Sequence, residues 1–213
     1  MTALPKYGLY AITDPELTPG HTLVEQVSLA IRGGAVMIQY RDKVSSKADK
    51  LKQAATLQNL CHQHNVPLII NDDIALAKEL DADGVHLGIN DATVAEARYR
   101  LGDKTIIGAS CYDDYQRAVD AQNHGASYVA FGRFFTSSTK PSAVQADITL
   151  IHMAKETLNV PVVAIGGITP ENAHVLVDAG ADFLAVVAGV FAADDPNHAA
   201  RRYAEIYHKH SNI

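Results

Sequence analysis

Gln39, Arg41 and Lys43 fall at alternate positions in the stretch MIQYRDK, residues 37–43. In an extended strand alternate residues share a face, so these three would line one side over about 13 Å. An amide, a guanidinium and an ammonium in a row suit an anion, because arginine grips phosphate oxygens through a planar fork and lysine adds a mobile point charge. An exposed edge strand would carry the same residue types. A third cation, Lys140, closes GRFFTSSTK (132–140). Three cations exceed what one phosphate monoester needs and fit a diphosphate; the competing reading makes each of them a solvated surface charge.

Two aspartates, Asp72 in IND (70–72) and Asp91 in GVHLGIND (84–91), offer the opposite charge. Carboxylates held close repel, so one of the pair takes up a proton or a divalent cation joins them. Hard oxygen ligands suit Mg2+, whose other positions are filled by water and substrate phosphate. Alternatively each aspartate caps the helix that follows it, a role this residue fills well. Asn71, Ser110 and the hydroxyls of 137–139 accompany these charges. Glycines gather near the end of the chain, in AIGGIT (164–169) and in Ala188-Gly189. Glycine lets a backbone approach an anion closely, and Pro170 is placed to begin the next helix. These loops read either as a phosphate cradle of backbone N–H groups or as plain turns.

Short β-rich runs, at 6–13, 36–41, 67–71, 84–88, 105–110, 128–132, 161–166 and 183–188, must position these side chains. Between them lie segments with apolar residues three and four apart, clearest at 23–31 and 50–64 and followed by 171–180 and 198–210. Strands alternating with helices predict parallel βαβ units, and eight such units in 213 residues predict a single α/β domain over 1–213, a (β/α)8 TIM barrel. The rival, an open doubly wound sheet, would want G-x-G-x-x-G at its first helix, and the first strand runs instead into TDPELTPG. In a barrel the ligand site forms on the loops after the carboxyl ends of the strands, which is where the residues above fall.

Composition limits the rest. The chain is 47% hydrophobic and 20% charged, with a net charge of −6, a balance that builds a full core and speaks against nucleic-acid or membrane-surface binding. Any anion site must be a local cluster. Cys61 and Cys111 supply neither a disulfide framework nor metal-ligand spacing, as suits a reducing cytoplasm. No run approaches the ~20 apolar residues of a membrane span, and the opening MTALPKYGLY carries no signal-peptide pattern. His86 is expected to be packed and hydrogen-bonded rather than catalytic. The sequence leaves the oligomeric state open, a homo-oligomer included.

Together QYRDK (39–43), IND, GVHLGIND, IIGAS (106–110), GRFFTSSTK and AIGGIT resemble the thiamine phosphate synthase family over nearly the whole chain, from 10 to 191. That resemblance implies a Mg2+-dependent transferase joining a pyrimidine diphosphate to a thiazole phosphate. Gln39, Tyr40, Arg41, Asp42, Lys43, Asn71, Ser110 and Lys140 would bind the pyrimidine diphosphate, with Arg41, Lys43, Ser110 and Lys140 catalytic. Asp72 and Asp91 would hold the metal. Ser137, Ser138, Thr139, Gly167, Val187 and Ala188 would bind the thiazole phosphate. Two departures stand out. Thr136-Ser137 replaces a Pro-Thr frequent in the family, and Ala188 replaces a frequent serine, so weaker phosphate binding is expected at the second position. A related thiazole tautomerase, another phosphate-binding barrel enzyme and a non-catalytic phosphometabolite-binding barrel are the alternatives. The segment 134–146, rich in small and polar residues, could serve as a lid.

Overall fold

The computed structural model describes residues 2–136 and 145–210, with side chains as far as Tyr207. Eight strands form a closed barrel in chain order: β1 Gly8–Ile12, β2 Ala35–Tyr40, β3 Leu68–Asn71, β4 Gly84–Leu87, β5 Ile106–Tyr112, β6 Tyr128–Gly132, β7 Val162–Ile165 and β8 Phe183–Val186. Every neighbouring pair is parallel, and β8 returns to β1 in the register Leu9 to Leu184 and Tyr10 to Ala185. Closure leaves no edge strand, which removes the exposed-edge reading of Gln39.

Strand alternation divides the apolar residues into two layers. Outward residues such as Leu9, Ile38, Leu68, Val85 and Phe131 pack beneath the helices. Inward residues, among them Tyr10, Met37, Ile69, Tyr128 and Phe183, fill the barrel. Helix α1 (Leu23–Arg32) shows how the outer layer is built, because Leu23, Val27, Ala30 and Ile31 recur on one face and are buried. Helices α2 (Lys47–Gln63), α3 (Ile74–Leu80), α4 (Val94–Leu101), α5 (Tyr115–Asn123), α6 (Thr149–Thr157) and α7 (Ala173–Asp178) follow their strands in turn. After β8 come a short α8 (Ala188–Phe191) and a long α9 (Pro196–His210). The described residues therefore hold one helix more than eight βα units require.

The expected boundaries shift in informative ways. β2 stops at Tyr40, so Arg41 and Lys43 lie beyond the strand and the expected strand-long row of three does not form. Residues 41–43 instead turn toward α2, with Asp42 Oδ1 accepting the Val44 and Ser45 N–H groups at 2.8 and 2.9 Å. Pro170 also does not begin a helix. It lies in a turn where Thr169 O accepts from Asn172 N and Ala173 N, and α7 starts at Ala173. β5 ends two residues later than expected, with an irregularity between Ser110 and Tyr112 in its pairing with β6.

Candidate active site at the barrel mouth

The carboxyl ends of β1 to β4 bring charged residues together in pairs. Arg41 reaches across to Asp14, just past β1, with Nη1 3.1 Å from Oδ2. Lys43 Nζ lies 2.9 Å from Asp72 Oδ2, just past β3. Asp72 holds a left-handed backbone, φ 61°, and its N–H donates to His86 O at 2.8 Å. Aspartate tolerates that conformation better than most residues. Beside these pairs a cleft of about 300 Å³ opens, lined by Asp42, Lys43, Lys50, Asn71 and Asp72 among others.

Neither expected metal ligand caps a helix. Asp73, not Asp72, caps α3 by accepting Leu76 N–H, and Thr93, not Asp91, caps α4 by accepting Glu96 N–H. Asp91 turns back and accepts Gly88 N–H at 2.7 Å. The two carboxylates are thereby left to face each other, and they titrate apart. Burial pushes Asp91 up, and the hydrogen-bonded Asp72 beside it pushes the same way. Burial also works to raise Asp72, but hydrogen bonds with Lys43, Asp91 and Asn71 outweigh it and hold Asp72 below the ordinary carboxylate range. A raised carboxyl beside a lowered one is what two hydrogen-bonded carboxyl groups show when a lysine pairs with only one of them.

The remaining expected residues divide between the barrel interior and its outer layer. Gln39 is the last inward residue of β2, buried, with Nε2 donating to the Tyr10 hydroxyl at 2.6 Å. Ser110 faces the same interior from β5, its Oγ 2.9 Å from His86 Nε2. Tyr40 points the other way. It packs among the residues beneath the helices, and its hydroxyl donates to Gln53 Oε1 at 3.1 Å. Asp42 shapes the loop, as described above. Burial opposes ionisation there, but hydrogen bonds from Ser45 and Val44 outweigh it and hold the carboxyl low. His86 is buried and bonded at both nitrogens, with Nδ1 3.0 Å from the Tyr128 hydroxyl, and burial lowers its pKa to about 4.

On the far side of the mouth, Gly167 follows β7 with φ 66°, and an added Cβ would stand 2.5 Å from Thr136 O and 2.6 Å from Phe135 O. The glycine is therefore needed for a close approach, here by the backbone of the β6 loop. At β8 the chain turns at Val187 into α8, which begins at Ala188. The first turn of α8 approaches the loop after β7, since a Cβ on Gly189 would lie 3.2 Å from Ile168 O. Ser137, Ser138, Thr139 and Lys140 lie outside the described residues, as does most of the 134–146 segment.

Asp14, Lys50, Tyr10 and Tyr128 escaped the sequence reading. Asp14 directly follows the first strand, so the strand-end rule applied to the others would have found it. Lys50 sits in the first turn of α2, where no local pattern marks it. The tyrosines look like ordinary strand aromatics until closure places their hydroxyls together.

A closed parallel barrel with charge pairs and a polar interior end gathered at its carboxyl mouth is a (β/α)8 barrel. Residues 9–190 match the family model described as thiamine monophosphate synthase, and the chain belongs to that family. It is 51% identical over 198 residues to the thiamine-phosphate synthase of Nitrosococcus oceani, covering 93% of this chain and 91% of that protein. It is 48% identical over 200 residues to the thiamine-phosphate synthase of an Azoarcus species, covering 94% and 97%. Among solved structures, thiamine phosphate pyrophosphorylase from Pyrococcus furiosus superposes with a TM-score of 0.86 at 33% identity, covering 96% of each chain. No helix among the described residues is long and apolar enough to cross a membrane.

Proposed function

We infer that this chain is a thiamine-phosphate synthase. It joins 4-amino-2-methyl-5-(diphosphooxymethyl)pyrimidine to 4-methyl-5-(2-phosphooxyethyl)thiazole, giving thiamine phosphate and pyrophosphate. The observation that carries the reading is the 51% identity to a thiamine-phosphate synthase along nearly the full length of both chains. The charge-paired mouth supports it.

The reaction breaks the bond between the pyrimidine methylene and the diphosphate oxygen, and the electron pair leaves with pyrophosphate. The thiazole nitrogen then supplies its lone pair to the methylene. No protein nucleophile is needed, so the chain's task is to bind, orient and neutralise charge. Arg41 and Lys43 serve the leaving diphosphate, and Ser110 offers it a hydroxyl. In the structure both cations rest on carboxylates, Asp14 and Asp72. Such partly exposed pairs are worth about 0–1 kcal/mol each, so a diphosphate carrying several charges can draw the cations away. Lys140 would join them at the diphosphate, and Ser137, Ser138, Thr139, Gly167, Val187 and Ala188 would hold the thiazole phosphate.

Asp72 and Asp91 fit a divalent cation on the chemistry of the donor set, two carboxyl groups with hard oxygen atoms that face each other at the mouth. Mg2+ is content with one or two carboxylates plus water and phosphate. When bound there it would neutralise charge on the leaving diphosphate. Lys43, now paired with Asp72, would then be free to turn to the substrate. A thiazole tautomerase, which handles no diphosphate, would have no use for this cluster.

Purified protein with Mg2+ and both substrates should release thiamine phosphate and pyrophosphate in equal amounts. Binding of both substrates without product would overturn the reading.

A further inference from the structure

Between Gln39 and Ser110 the barrel interior is crossed by an unbroken line of polar atoms. Gln39 Nε2 donates to the Tyr10 hydroxyl at 2.6 Å, and the Tyr10 and Tyr128 hydroxyls lie 2.9 Å apart. The Tyr128 hydroxyl is 3.0 Å from His86 Nδ1, and His86 Nε2 is 2.9 Å from Ser110 Oγ. The five side chains come from five strands, β2, β1, β6, β4 and β5. The rings are wedged in place. Tyr10 meets Tyr128 edge to face at 89°, and His86 stacks on Tyr128 at 17°. Room for Tyr128 is built into β5, where a Cβ on Gly108 would stand 2.0 Å from Tyr128 Cζ.

A hydroxyl carries one proton, and a neutral imidazole carries one N–H. Each interior member of this line therefore donates one bond along it and accepts one, so the direction at one end sets every other bond. Two arrangements are self-consistent. In the first, Gln39 donates to Tyr10, Tyr10 to Tyr128, Tyr128 to His86 Nδ1, and His86 Nε2–H to Ser110. The Ser110 proton is then left for a ligand, and the Gln39 group not engaged with Tyr10 is its carbonyl oxygen. In the second every proton is reversed: Ser110 donates inward and keeps only lone pairs for a ligand, while Gln39 turns its amide N–H2 away from Tyr10. Any mixture opposes two donors or two lone pairs in the buried interior, which is costly. The orientation of Gln39, with Nε2 toward Tyr10, is that of the first arrangement.

We propose that Tyr10, Tyr128 and His86 are positioning residues that lock the hydrogen-bonding sense of Gln39 to that of Ser110, selecting a ligand that donates to Gln39 and accepts from Ser110. The inference rests on the proposed function for its ligand. The aminopyrimidine diphosphate has an amine at one end and phosphate oxygens at the other, matching both ends of the line together. A ligand with those polarities exchanged would have to reverse all the protons at once.

Two measurements test this on the full chain. Long-range 1H–15N spectra of 15N-histidine-labelled protein report which ring nitrogen of His86 carries the proton, with the signal assigned through His86→Gln. The expected tautomer is Nε2–H, both in the free protein and with inorganic pyrophosphate added. An Nδ1–H ring in either state overturns the proposal. The second measurement is a cycle of Gln39→Leu and Ser110→Ala read as kcat/KM for the pyrimidine diphosphate. The double variant should lose at least about threefold less than the product of the single losses, the scale of coupled sites. In a Tyr128→Phe background the losses should multiply. Losses that multiply in the wild-type background, or coupling that survives Tyr128→Phe, refute the line as the link. If Tyr128→Phe does not fold, the wild-type tautomer still decides. The spectra need no turnover, so failure to make thiamine phosphate would overturn the functional reading alone.

Discussion

Acidification from pH 7 to pH 5 should cost this protein about 2 kcal/mol of stability through His86 alone. The ring is enclosed by Tyr128 on β6 and Ser110 on β5, and burial lowers its pKa to about 4 although the nearby Asp72 pulls it upward. The unfolded chain titrates near about 6.5. Between those values the unfolded state binds more protons than the folded state, so stability is present above the unfolded pKa and is lost as pH falls through the folded one. At about 1.4 kcal/mol per pH unit, the full loss is about 3 kcal/mol, of which about 2 kcal/mol has accrued by pH 5. Urea unfolding of the wild type and of His86→Gln at the two pH values isolates this contribution, because other titrating groups act in both chains and cancel in the difference. The wild type should lose about 2 kcal/mol more than the variant. Equal losses would refute the reasoning, and with it the neutrality of His86 across this range.

Further outcomes follow from single contacts. Asp72→Ala should lower kcat by about 100-fold or more, the scale of one preorganised electrostatic contact, and a near-normal rate would mean that the diphosphate is not held there. Gly108→Ala drives a methyl group into the Tyr128 ring, 2.0 Å from Cζ, and should cost about 1–3 kcal/mol in urea unfolding; an unchanged midpoint would contradict that packing. Thr93→Ala removes the cap of α4 and should cost about 1 kcal/mol while leaving kcat intact, so a fall in kcat would place Thr93 nearer the chemistry than its bond to Glu96 implies.

Much of this protein is legible from local pattern. Alternation within short runs marks the strands, three- and four-residue spacing marks the helix faces, and their succession specifies a parallel barrel, because each such period is dictated by backbone geometry over a few residues. The strand-end rule then collects Gln39, Arg41, Asn71, Asp72 and Ser110 at one mouth. Element ends were less legible. MIQYRDK reads as one strand through Arg41, yet pairing stops at Tyr40, and the turn held by Asp42 carries Lys43 to Asp72. Whether Asp72 caps the helix that follows it was likewise undecided until the backbone gave that role to Asp73 and left Asp72 at the mouth.

The pairings themselves belong to the tertiary structure. Nothing within a few residues of Arg41 points to Asp14, and nothing near Tyr10 points to Tyr128, 118 positions away, whose hydroxyl ends 2.9 Å from its own. Secondary structure repeats along the chain and so can be read from the chain. A hydrogen bond or an ion pair depends on a few ångströms between side chains of different strands, a distance that exists only once the barrel has closed.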